Sequence, residues 1–577
     1  MDTPRFIPVI STATVSSTTS TSTPSSPCWF SRPPLQLAAL LAILAAALHA
    51  PLTAAQTTAG AAPPTLPAPA PVPTAHIGDR PRIAIIDFTV ARDTDPRDAW
   101  LGDAVTEQLC HRLRRHPGLL AVSTERMHQA RAELAEDAKA PPWPAVARAL
   151  GVRYLLRGAS TGQPDSMRLT MELHDLSDEA AEPRKAELPA GRLFDVLDSA
   201  TRWSLDAFRV DPPAGGPPLL GPPCKSPSAL EFYVKALRAF REEKPRATAE
   251  LLRDALDFDP AFRPTLLLQA EVDLRVGSPA ARRAAAARLA LLAELSRKAD
   301  DVLDRVAVEL AHGVLNGMEG AVDAAQTRFA TALEIARQSR DPYAQLAAMT
   351  SLANLYLTQR PPREFDDAQR ASFTRETAER SAAWQEAVAL SLEQLDDIVS
   401  LAPALNKLAL TYERSGDDNR ALTMHLRMLQ SARQLKSRRT EATALLLLAQ
   451  CHARKERWDD ALTAIEHCAA ITPPEAAAAV SATRAAVLRG LKRPREALAE
   501  YQAALKRLRT GDDLSNQLIC LREAAGLHWD LGESAEARKM LQEAIDIARA
   551  LGSPIATSLE DTMSVWNEGA GGRRPPP

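Results

Sequence analysis

The fold is decided by residues 408–429, LALTYERSGDDNRALTMHLRML, because a matching stretch follows 40 residues later. Residues 448–469 read LAQCHARKERWDDALTAIEHCA and keep the same kinds of residue at the same positions. In the first copy, Ala409 precedes Tyr412 by three positions, and a second small residue, Ala421, comes after a turn. Small residues at this spacing let two helix backbones approach closely, while bulky ones fill the gap between neighbouring pairs. The sequence therefore predicts packed pairs of α-helices.

The same pattern recurs with a period near 40 across residues 228–552. It predicts about eight helix pairs, which would stack into a superhelix with a concave side. One spacing is longer: 55 residues separate Ala325 from its next equivalent, Arg380, so about 15 residues are inserted around 361–378. The insert is either a binding element or a longer loop. The predicted pairs start near residues 228, 262, 302, 342, 401, 441, 476 and 514.

This array resembles the tetratricopeptide repeat family, although its period exceeds the roughly 34 residues usual there. The resemblance implies that a protein or peptide ligand contacts the inner helices, on the face turned away from the partner helix. Arg414 and Arg454 occupy equivalent positions, and arginine forks suit carboxylates, so an acidic peptide or a free carboxyl terminus would fit. The alternative for each residue is an ordinary solvated helix face. The candidate groove residues are Asn354, Asn406, Glu413, Arg414, Gln450, Arg454, Arg489, Arg522 and Trp529.

Composition argues against several function classes. The 577 residues include 69 basic and 72 acidic side chains, a net charge of −3, which argues against the broad basic surface of a nucleic-acid-binding protein. The sequence contains no Walker A loop, no G-x-G-x-x-G and no H-E-x-x-H motif, so no cofactor or metal is predicted.

Residues 1–55 are predicted to be a signal peptide or membrane anchor. The apolar run Leu35–Leu48 is followed by the small-residue site Thr53–Ala55, as in secretory signals. The run is shorter than the roughly 20 apolar residues of a membrane span. Cleavage would release the protein into the periplasm, and an uncleaved leader would anchor it to the inner membrane. Residues 56–80 form a Pro/Ala-rich linker that should be extended.

Residues 81–210 are predicted to form a small α/β domain because short apolar runs alternate with helical patterns. A Pro-rich linker, 211–227, follows it, and a flexible tail, 553–577, follows the repeats. The predicted strands are Arg82–Phe88, Leu119–Val122, Val152–Leu156 and Met167–Leu173.

Several segments of this domain resemble the amino-terminal domain of TolB-like bacterial proteins and of FlgO-type and CsgG-type envelope proteins. They are IAIIDF (83–88), LGDAVTEQL (101–109), LLAVSTERM (119–127), ARALGVRYLLRGAS (147–160) and MRLTMELHD (167–175). The resemblance implies a non-catalytic envelope or adaptor module that docks to an envelope partner. Some such relatives carry a cytoplasmic DNA-binding or cyclase domain ahead of a membrane span, but the first 34 residues here are too short and polar to fold.

Two motifs suggest chemistry and are set aside. Gly158–Gly162 fits the G-x-S-x-G of hydrolases, but that mechanism needs a strand, a sharp turn and a helix, whereas here the motif joins two strands. Cys451-His452 and His467-Cys468 suggest zinc, but neighbouring helical residues diverge by about 100°, so the four side chains could not converge on one ion.

The sequence thus predicts an exported, non-catalytic scaffold for protein–protein interactions. The repeat array would bind a protein or peptide, and the α/β domain would dock to an envelope partner. Two alternatives stay open: a membrane-anchored envelope sensor, and an envelope enzyme with its pocket in residues 81–210.

Overall fold

The computed structural model describes residues 80–86, 88–90, 96–135, 139–178, 180–213, 219–472, 477–511 and 513–568. These residues form two compact units that divide after Gly416. The predicted leader 1–55, all but the last residue of the 56–80 linker, and the end of the predicted tail lie outside the described residues. Within the described ranges, no helix combines the length and the apolar character needed to cross a membrane.

A mixed sheet forms the centre of the α/β domain. Strand β1 runs parallel to both of its neighbours, while β4, β5 and β6 pair antiparallel. Along β5, Met167, Leu169 and Met171 are buried and alternate with exposed residues, because helices cover only one face of the sheet there. The strand order is β3-β1-β4-β5-β6 with β2 beside β4, for β1 (Arg82–Ile85), β2 (Thr89–Val90), β3 (Leu120–Val122), β4 (Tyr154–Thr161), β5 (Met167–Asp175) and β6 (Arg184–Gly191).

Four α-helices accompany the sheet: α1 (Trp100–Arg114), α2 (Thr124–Glu133), α3 (Trp143–Ala149) and α4 (Leu193–Phe208). Helix α2 begins at its cap Ser123, whose hydroxyl accepts the Arg126 amide at 3.2 Å. The predicted α/β architecture is confirmed, but β6 and α4 were not predicted. Strand β6 is an edge strand in which Ala186 and Leu188 alternate with charged residues and Pro189, so its apolar signal is too weak to predict a strand.

The Pro-rich segment 211–227 is not a free spacer where the structure describes it. Leu219 and Cys224 are buried in the same core as the α/β domain. The Gly221 amide donates to Asp198 Oδ1 at 2.9 Å, which ties the segment to α4. The high proline content predicts a linker, but Leu219 and Cys224 between the prolines pack on the domain.

The repeat helices of the first unit are α5 (Pro227–Arg241), α6 (Pro245–Phe258), α7 (Arg263–Val276), α8 (Pro279–Lys298), α9 (Val302–Met318), α10 (Val322–Gln338), α11 (Pro342–Thr358), α12 (Asp367–Gln394) and α13 (Ile398–Ser415). The second unit contains α14 (Asp418–Gln434), α15 (Arg438–Arg454), α16 (Trp458–Ile471), α17 (Ala477–Gly490), α18 (Pro494–Leu508), α19 (Leu514–Asp530), α20 (Ser534–Ala550) and α21 (Ile555–Glu568). Over the described residues, the sixteen helices α5–α20 match the number needed for eight pairs. The predicted α-solenoid of tetratricopeptide type is confirmed.

Small residues occupy the helix contacts that the repeat pattern predicts. A side chain at Gly313 in α9 would lie 2.4 Å from the ring of Phe329 in α10. Ala325 and Ala332 in α10 are fully buried. The close approach of α9 and α10 therefore depends on residues with little or no side chain, as the sequence pattern predicts.

Three first helices of the first unit begin in the same way. Asp301, Asp341 and Asp397 cap α9, α11 and α13, each accepting a backbone amide of the first turn. A residue with positive φ precedes each cap, and its left-handed backbone makes the sharp turn between one helix pair and the next. These caps place aspartates at regular intervals along the repeats.

The insert predicted around 361–378 lies mostly in a helix. Residues 359–366 connect α11 to α12, and α12 then extends over 28 residues. Asp366 and Gln369 form a capping box that starts the helix. Most of the insertion thus lengthens a repeat helix, and a smaller part lengthens the loop before it.

The predicted tail differs from the structure over much of its length. Residues Ile555–Glu568 form α21, in which Leu559 and Trp566 are buried against the last repeat. Helix α21 therefore covers the hydrophobic face that the final helix pair would otherwise expose to solvent.

Candidate binding site on the inner helices

The nine candidate groove residues fall into two sets. Asn354 lies on α11, and Asn406, Glu413 and Arg414 lie on α13, all in the first unit. The second unit holds the rest: Gln450 and Arg454 on α15, Arg489 on α17, and Arg522 and Trp529 on α19.

In the first unit, α11 and α13 meet through a lysine that sequence analysis did not select. The Lys407 ammonium on α13 donates to Oδ1 of Asn354 on α11. Asn354 is only 6% exposed. The predicted residue Asn354 is thus part of an inter-helix contact whose charged member is Lys407.

The charge of Lys407 has no carboxylate partner among the described residues, and its ammonium bonds to the Asn354 amide. The residue keeps part of its surface exposed, yet desolvation by the surrounding protein lowers the pKa of Lys407 from 10.5 to about 8. A cation desolvated without a counterion is held at a free-energy cost, and a bound anion would offset it. Lys407 is therefore the residue in this unit best suited to attract a negatively charged group.

Two amide atoms on the same two helices also lack hydrogen-bond partners in the described part of the chain. They are Nδ2 of Asn354, a donor, and Oδ1 of Asn406, an acceptor. Buried polar atoms in folded proteins are almost always hydrogen-bonded, so an unsatisfied donor next to an uncompensated ammonium points to an external acceptor. A carboxylate offers two acceptor oxygens, which matches the ammonium and the Asn354 amide.

A chain of buried hydrogen bonds fixes the helices beneath this contact. The hydroxyl of Thr411 on α13 lies 3.1 Å from Oε1 of Gln385 on α12, and Gln385 Nε2 donates to Ser381 Oγ at 2.9 Å. Ser381 Oγ then donates to the backbone carbonyl of Ala353 on α11 at 2.8 Å. All three side chains are at most 4% exposed. The two inner helices are thus joined directly and also through their neighbour.

The other two candidates of this unit lie nearer the C-terminal end of α13. Nη1 of Arg414 donates to the backbone carbonyl of Leu357 on α11 at 2.6 Å, so this guanidinium also bridges the two helices. Glu413 is partly buried beside it. Arg414 follows Lys407 by seven residues, which places both on one helix face, and this spacing was the available sequence signal for Lys407.

The arginines of the second unit are compensated by the protein itself. Nη1 of Arg489 on α17 donates to Oε2 of Glu523 on α19. Arg522 Nη2 donates to Oε1 of the same carboxylate at 2.7 Å. Glu523 is 7% exposed, so one buried carboxylate is shared by both guanidinium groups.

The remaining candidates of the second unit also have internal partners. Arg454 Nε lies 3.5 Å from Oδ1 of Asp418, and Gln450 Nε2 donates to Thr483 Oγ1 at 3.3 Å. Trp529 stacks on Trp566 of α21 with ring centroids 4.4 Å apart and planes 4° from parallel. The indole expected to face a ligand is thus covered on one side by the protein's own last helix.

The two motifs set aside in the sequence lie in structural settings. Ser160 is buried within β4, and its register partner is Leu169 of β5. Cys451 lies on α15 and Cys468 on α16, where the Cys468 thiol donates to the Ala442 carbonyl at 3.2 Å. Burial raises the pKa of Cys468, as expected for a thiol used in packing.

Comparison with known proteins gives matches to the repeats and to part of a bacterial protein. A family model described as "Tetratricopeptide repeat" matches residues 475–550. A protein of Rhizobium meliloti (strain 1021), named as an adenylate cyclase, is 25% identical over 205 residues, which are 35% of this chain and 32% of that protein. This chain therefore spans about a third of the length of that relative.

Among solved structures, the apo form of RapI covers 59% of this chain and 98% of its own, at 9% identity and a TM-score of 0.39. A signal-transduction ATPase with a tetratricopeptide repeat sensor from Pyrococcus horikoshii covers 59% of this chain and 52% of its own, at 14% identity and a TM-score of 0.42. The TolB-like character of the α/β domain stays a prediction. The family match identifies residues 475–550 as tetratricopeptide repeats, and the paired helices of the rest of the array have the same type of fold.

Proposed function

We propose that this protein is a non-catalytic interaction scaffold whose inner helices α11 and α13 bind a carboxylate of a protein or peptide partner. The observation that carries the proposal is the Lys407 ammonium, which is desolvated, lacks a carboxylate partner among the described residues, and lies beside the unsatisfied Asn354 amide. The tetratricopeptide repeats support a role in binding proteins.

In this proposal, Lys407 supplies the charge and Asn354 the orientation. An ammonium donates along three directions, and only one of them is used by Asn354 Oδ1. The incoming carboxylate accepts one hydrogen bond from Lys407 and one from Asn354 Nδ2. Asn406, whose Oδ1 is unsatisfied in the described residues, offers an acceptor for a backbone amide of the same partner.

The cellular setting is part of the same proposal. The leader predicted over residues 1–55 would export the protein, and the α/β domain would then dock to an envelope partner. Mass spectrometry of the amino terminus of protein purified separately from the periplasmic, membrane and cytoplasmic fractions checks this. A terminus near Ala55 supports export with cleavage, a retained leader in the membrane fraction supports the anchored alternative, and cytoplasmic protein with an intact leader contradicts both.

Binding is tested with the full chain and a library of N-acetylated tetrapeptides with free carboxyl termini, alongside the same library as carboxyl-terminal amides. We expect at least about tenfold preference for the free carboxylates, as for a charge-assisted contact of roughly 1.4 kcal/mol. Lys407→Met should abolish the preference. Asn354→Asp should do the same without loss of folding, because the new carboxylate would neutralise Lys407 internally.

Lys298→Gln is the matched control, since Lys298 is an exposed lysine already paired with Glu294. It should bind the library as the unaltered chain does. Equal retention of acids and amides by the unaltered chain, or a preference that survives Lys407→Met, would overturn the proposed carboxylate site.

A further inference from the structure

The α/β domain holds the repeats at the N-terminal ends of successive first helices. At α9, Arg115 Nε from the domain lies 2.7 Å from Oδ2 of the cap Asp301, and Arg115 Nη2 lies 2.9 Å from Asp304 Oδ1. Arg263 from the repeats binds the same two carboxylates at 2.8 and 2.6 Å. The side chain of Asp301 is 1% exposed, so this contact is shielded from solvent.

The same kind of contact recurs at α11 and α13. Arg80 Nη2 donates at 2.5 Å to the carbonyl of Arg340, the residue directly before the α11 cap. Arg126 Nη2 from α2 lies 3.3 Å from Oδ1 of Asp397, the α13 cap. The domain therefore contacts the starts of three first helices in a row.

The contact at α13 shares one carboxylate between two tasks. Asp397 Oδ1 accepts both the Ser400 amide, at 2.8 Å, and the Arg126 guanidinium. The side chains of Arg126 and Asp397 are 9% and 5% exposed. Burial strengthens this ion pair and makes the loss of either partner destabilising. A displacement of Arg126 would therefore also displace or destabilise the first turn of α13.

The backbone of the domain also touches this turn. Gly151 has φ +66°, and a Cβ there would lie 2.1 Å from the carbonyl oxygen of Leu395. Arg82 Nη1 donates to that same carbonyl, and Arg82 Nη2 lies 3.2 Å from Asp396 Oδ2. Only glycine allows both the left-handed backbone and this approach. The domain and the turn are thus in close backbone contact in addition to their ion pairs.

The carboxylate site lies further along the same two helices. Asn354 follows the first residue of α11, Pro342, by twelve positions, and Lys407 follows the first residue of α13, Ile398, by nine. At 1.5 Å per residue these are about 18 and 14 Å along the helix axes. A tilt of α13 at its held end therefore changes the distance between Lys407 and Asn354.

We propose that Arg82, Arg126 and Gly151 are positioning residues that set the spacing of α11 and α13 and thereby the carboxylate affinity of the Lys407–Asn354 site. The inference rests on the proposed function, because it concerns regulation of that same site. It makes the α/β domain the control element of the first unit. By thermodynamic reciprocity, a partner that draws the domain away from the turns would weaken peptide binding, and a bound peptide would hold the domain in place.

The test uses the full chain and a readout that needs no ligand. Acetic anhydride modifies Lys407 only when its amine is neutral, so the modification rate of the Lys407 peptide, followed by mass spectrometry against pH, gives the midpoint of its titration. In an Arg82→Ala/Arg126→Ala variant, we expect the midpoint to rise by at least half a pH unit, because a loosened contact lets water reach the ammonium. Tetrapeptide affinity should fall about threefold or more.

Two further variants separate positioning from general destabilisation. Arg126→Lys keeps a charge for Asp397 and should restore most of both readouts. Arg153→Ala removes an exposed arginine of the same domain that pairs with Asp175, and it should change neither readout. Hydrogen exchange over residues 398–402 reports whether the first turn of α13 has opened.

An unmoved Lys407 midpoint in the double variant would overturn the inference, whether or not the turn has opened. A midpoint that moves equally in Arg153→Ala would overturn it as well. If the unaltered chain shows no preference for free carboxylates, the proposed function fails, and the Lys407 midpoint still decides on the positioning role.

Discussion

The inner helices of the two units treat charge in opposite ways. In the second unit, Arg489 and Arg522 both pair with Glu523, so each guanidinium has a carboxylate partner within the protein. In the first unit, the inner-helix cation is Lys407, and among the described residues its ammonium is hydrogen-bonded only by the Asn354 amide. A visible cluster of arginines can therefore be a closed structural network, while a single lysine beside an asparagine keeps unused binding capacity.

The strongest way to break this comparison is to remove the compensating carboxylate. Glu523→Gln should destabilise the helices α17–α19 by about 2 kcal/mol, because two partly exposed guanidinium groups lose one buried partner. Segment-resolved hydrogen exchange on the full chain measures this. In this variant Arg489 and Arg522 are no longer paired with Glu523, so the second unit should also bind peptides with free carboxylates. Unchanged hydrogen exchange over α17–α19 would contradict the structural role given to Glu523.

A second uncompensated group in the first unit sharpens the comparison. Glu271 on α7 is 3% exposed, its Oε2 has no partner among the described residues, and burial raises its pKa from 4.5 to about 8. The folded state therefore keeps a proton that the unfolded state loses, so stability falls as the pH rises from about 4.5 towards 8.

Glu271→Gln should remove this loss and stabilise the first unit by about 2 kcal/mol at pH 7, with little effect near pH 4. Thermal unfolding of both proteins across this range checks the prediction. A stability difference that is the same at pH 4 and pH 7 would show that ionisation of Glu271 is not its cause.

The pH dependence of binding provides the next test. Lys407 has a pKa of about 8, so its charged fraction falls about tenfold between pH 7 and pH 9. Affinity for the free-carboxylate library should fall by about the same factor, and a bound carboxylate should raise the pKa of Lys407 because it favours the ammonium form. Isothermal titration calorimetry in two buffers of different ionisation enthalpy would detect the accompanying proton uptake near pH 8.5. Equal affinities at pH 7 and pH 9 would exclude Lys407 as the source of the charge.

The smallest effect is expected where a charge pair is exposed. Arg493 and Glu496 pair at 2.6 Å, but their side chains are 46% and 56% exposed. Glu496→Gln should leave the stability of the second unit unchanged within the error of the measurement, since water screens such pairs. It is the matched control for Glu523→Gln, and an equally large loss of stability in both variants would mean that burial does not set the difference.

Much of the fold could be predicted because the repeats state the same packing rule many times. The alternation of small and bulky residues located the helix pairs to within about three residues. Strand β6 and helix α21 could not be predicted in this way, since an edge strand and a single covering helix each occur once and have no repeat to compare with.

The site was predicted only in part. The repeat pattern places Asn354 on the inner face, but its partner Lys407 lies 53 residues later on another helix. The same pattern places Arg489 on this face, whereas its pairing with Glu523 depends on the register between two helices 34 residues apart in sequence. Pattern reveals which face a residue occupies, but only the packed structure reveals which charges have already found partners.

The parallel indoles of Trp529 and Trp566 make the end of the second unit optically observable. Two stacked, nearly parallel indole rings with centroids 4.4 Å apart couple electronically, and the coupling disappears when α21 separates from α19. The near-ultraviolet circular dichroism difference between the unaltered chain and Trp566→Phe would isolate this signal from the other tryptophans. Loss of this signal on gentle heating would report the separation of the last helix without an added label. The signal would therefore show whether the array begins to unfold at its carboxyl-terminal end.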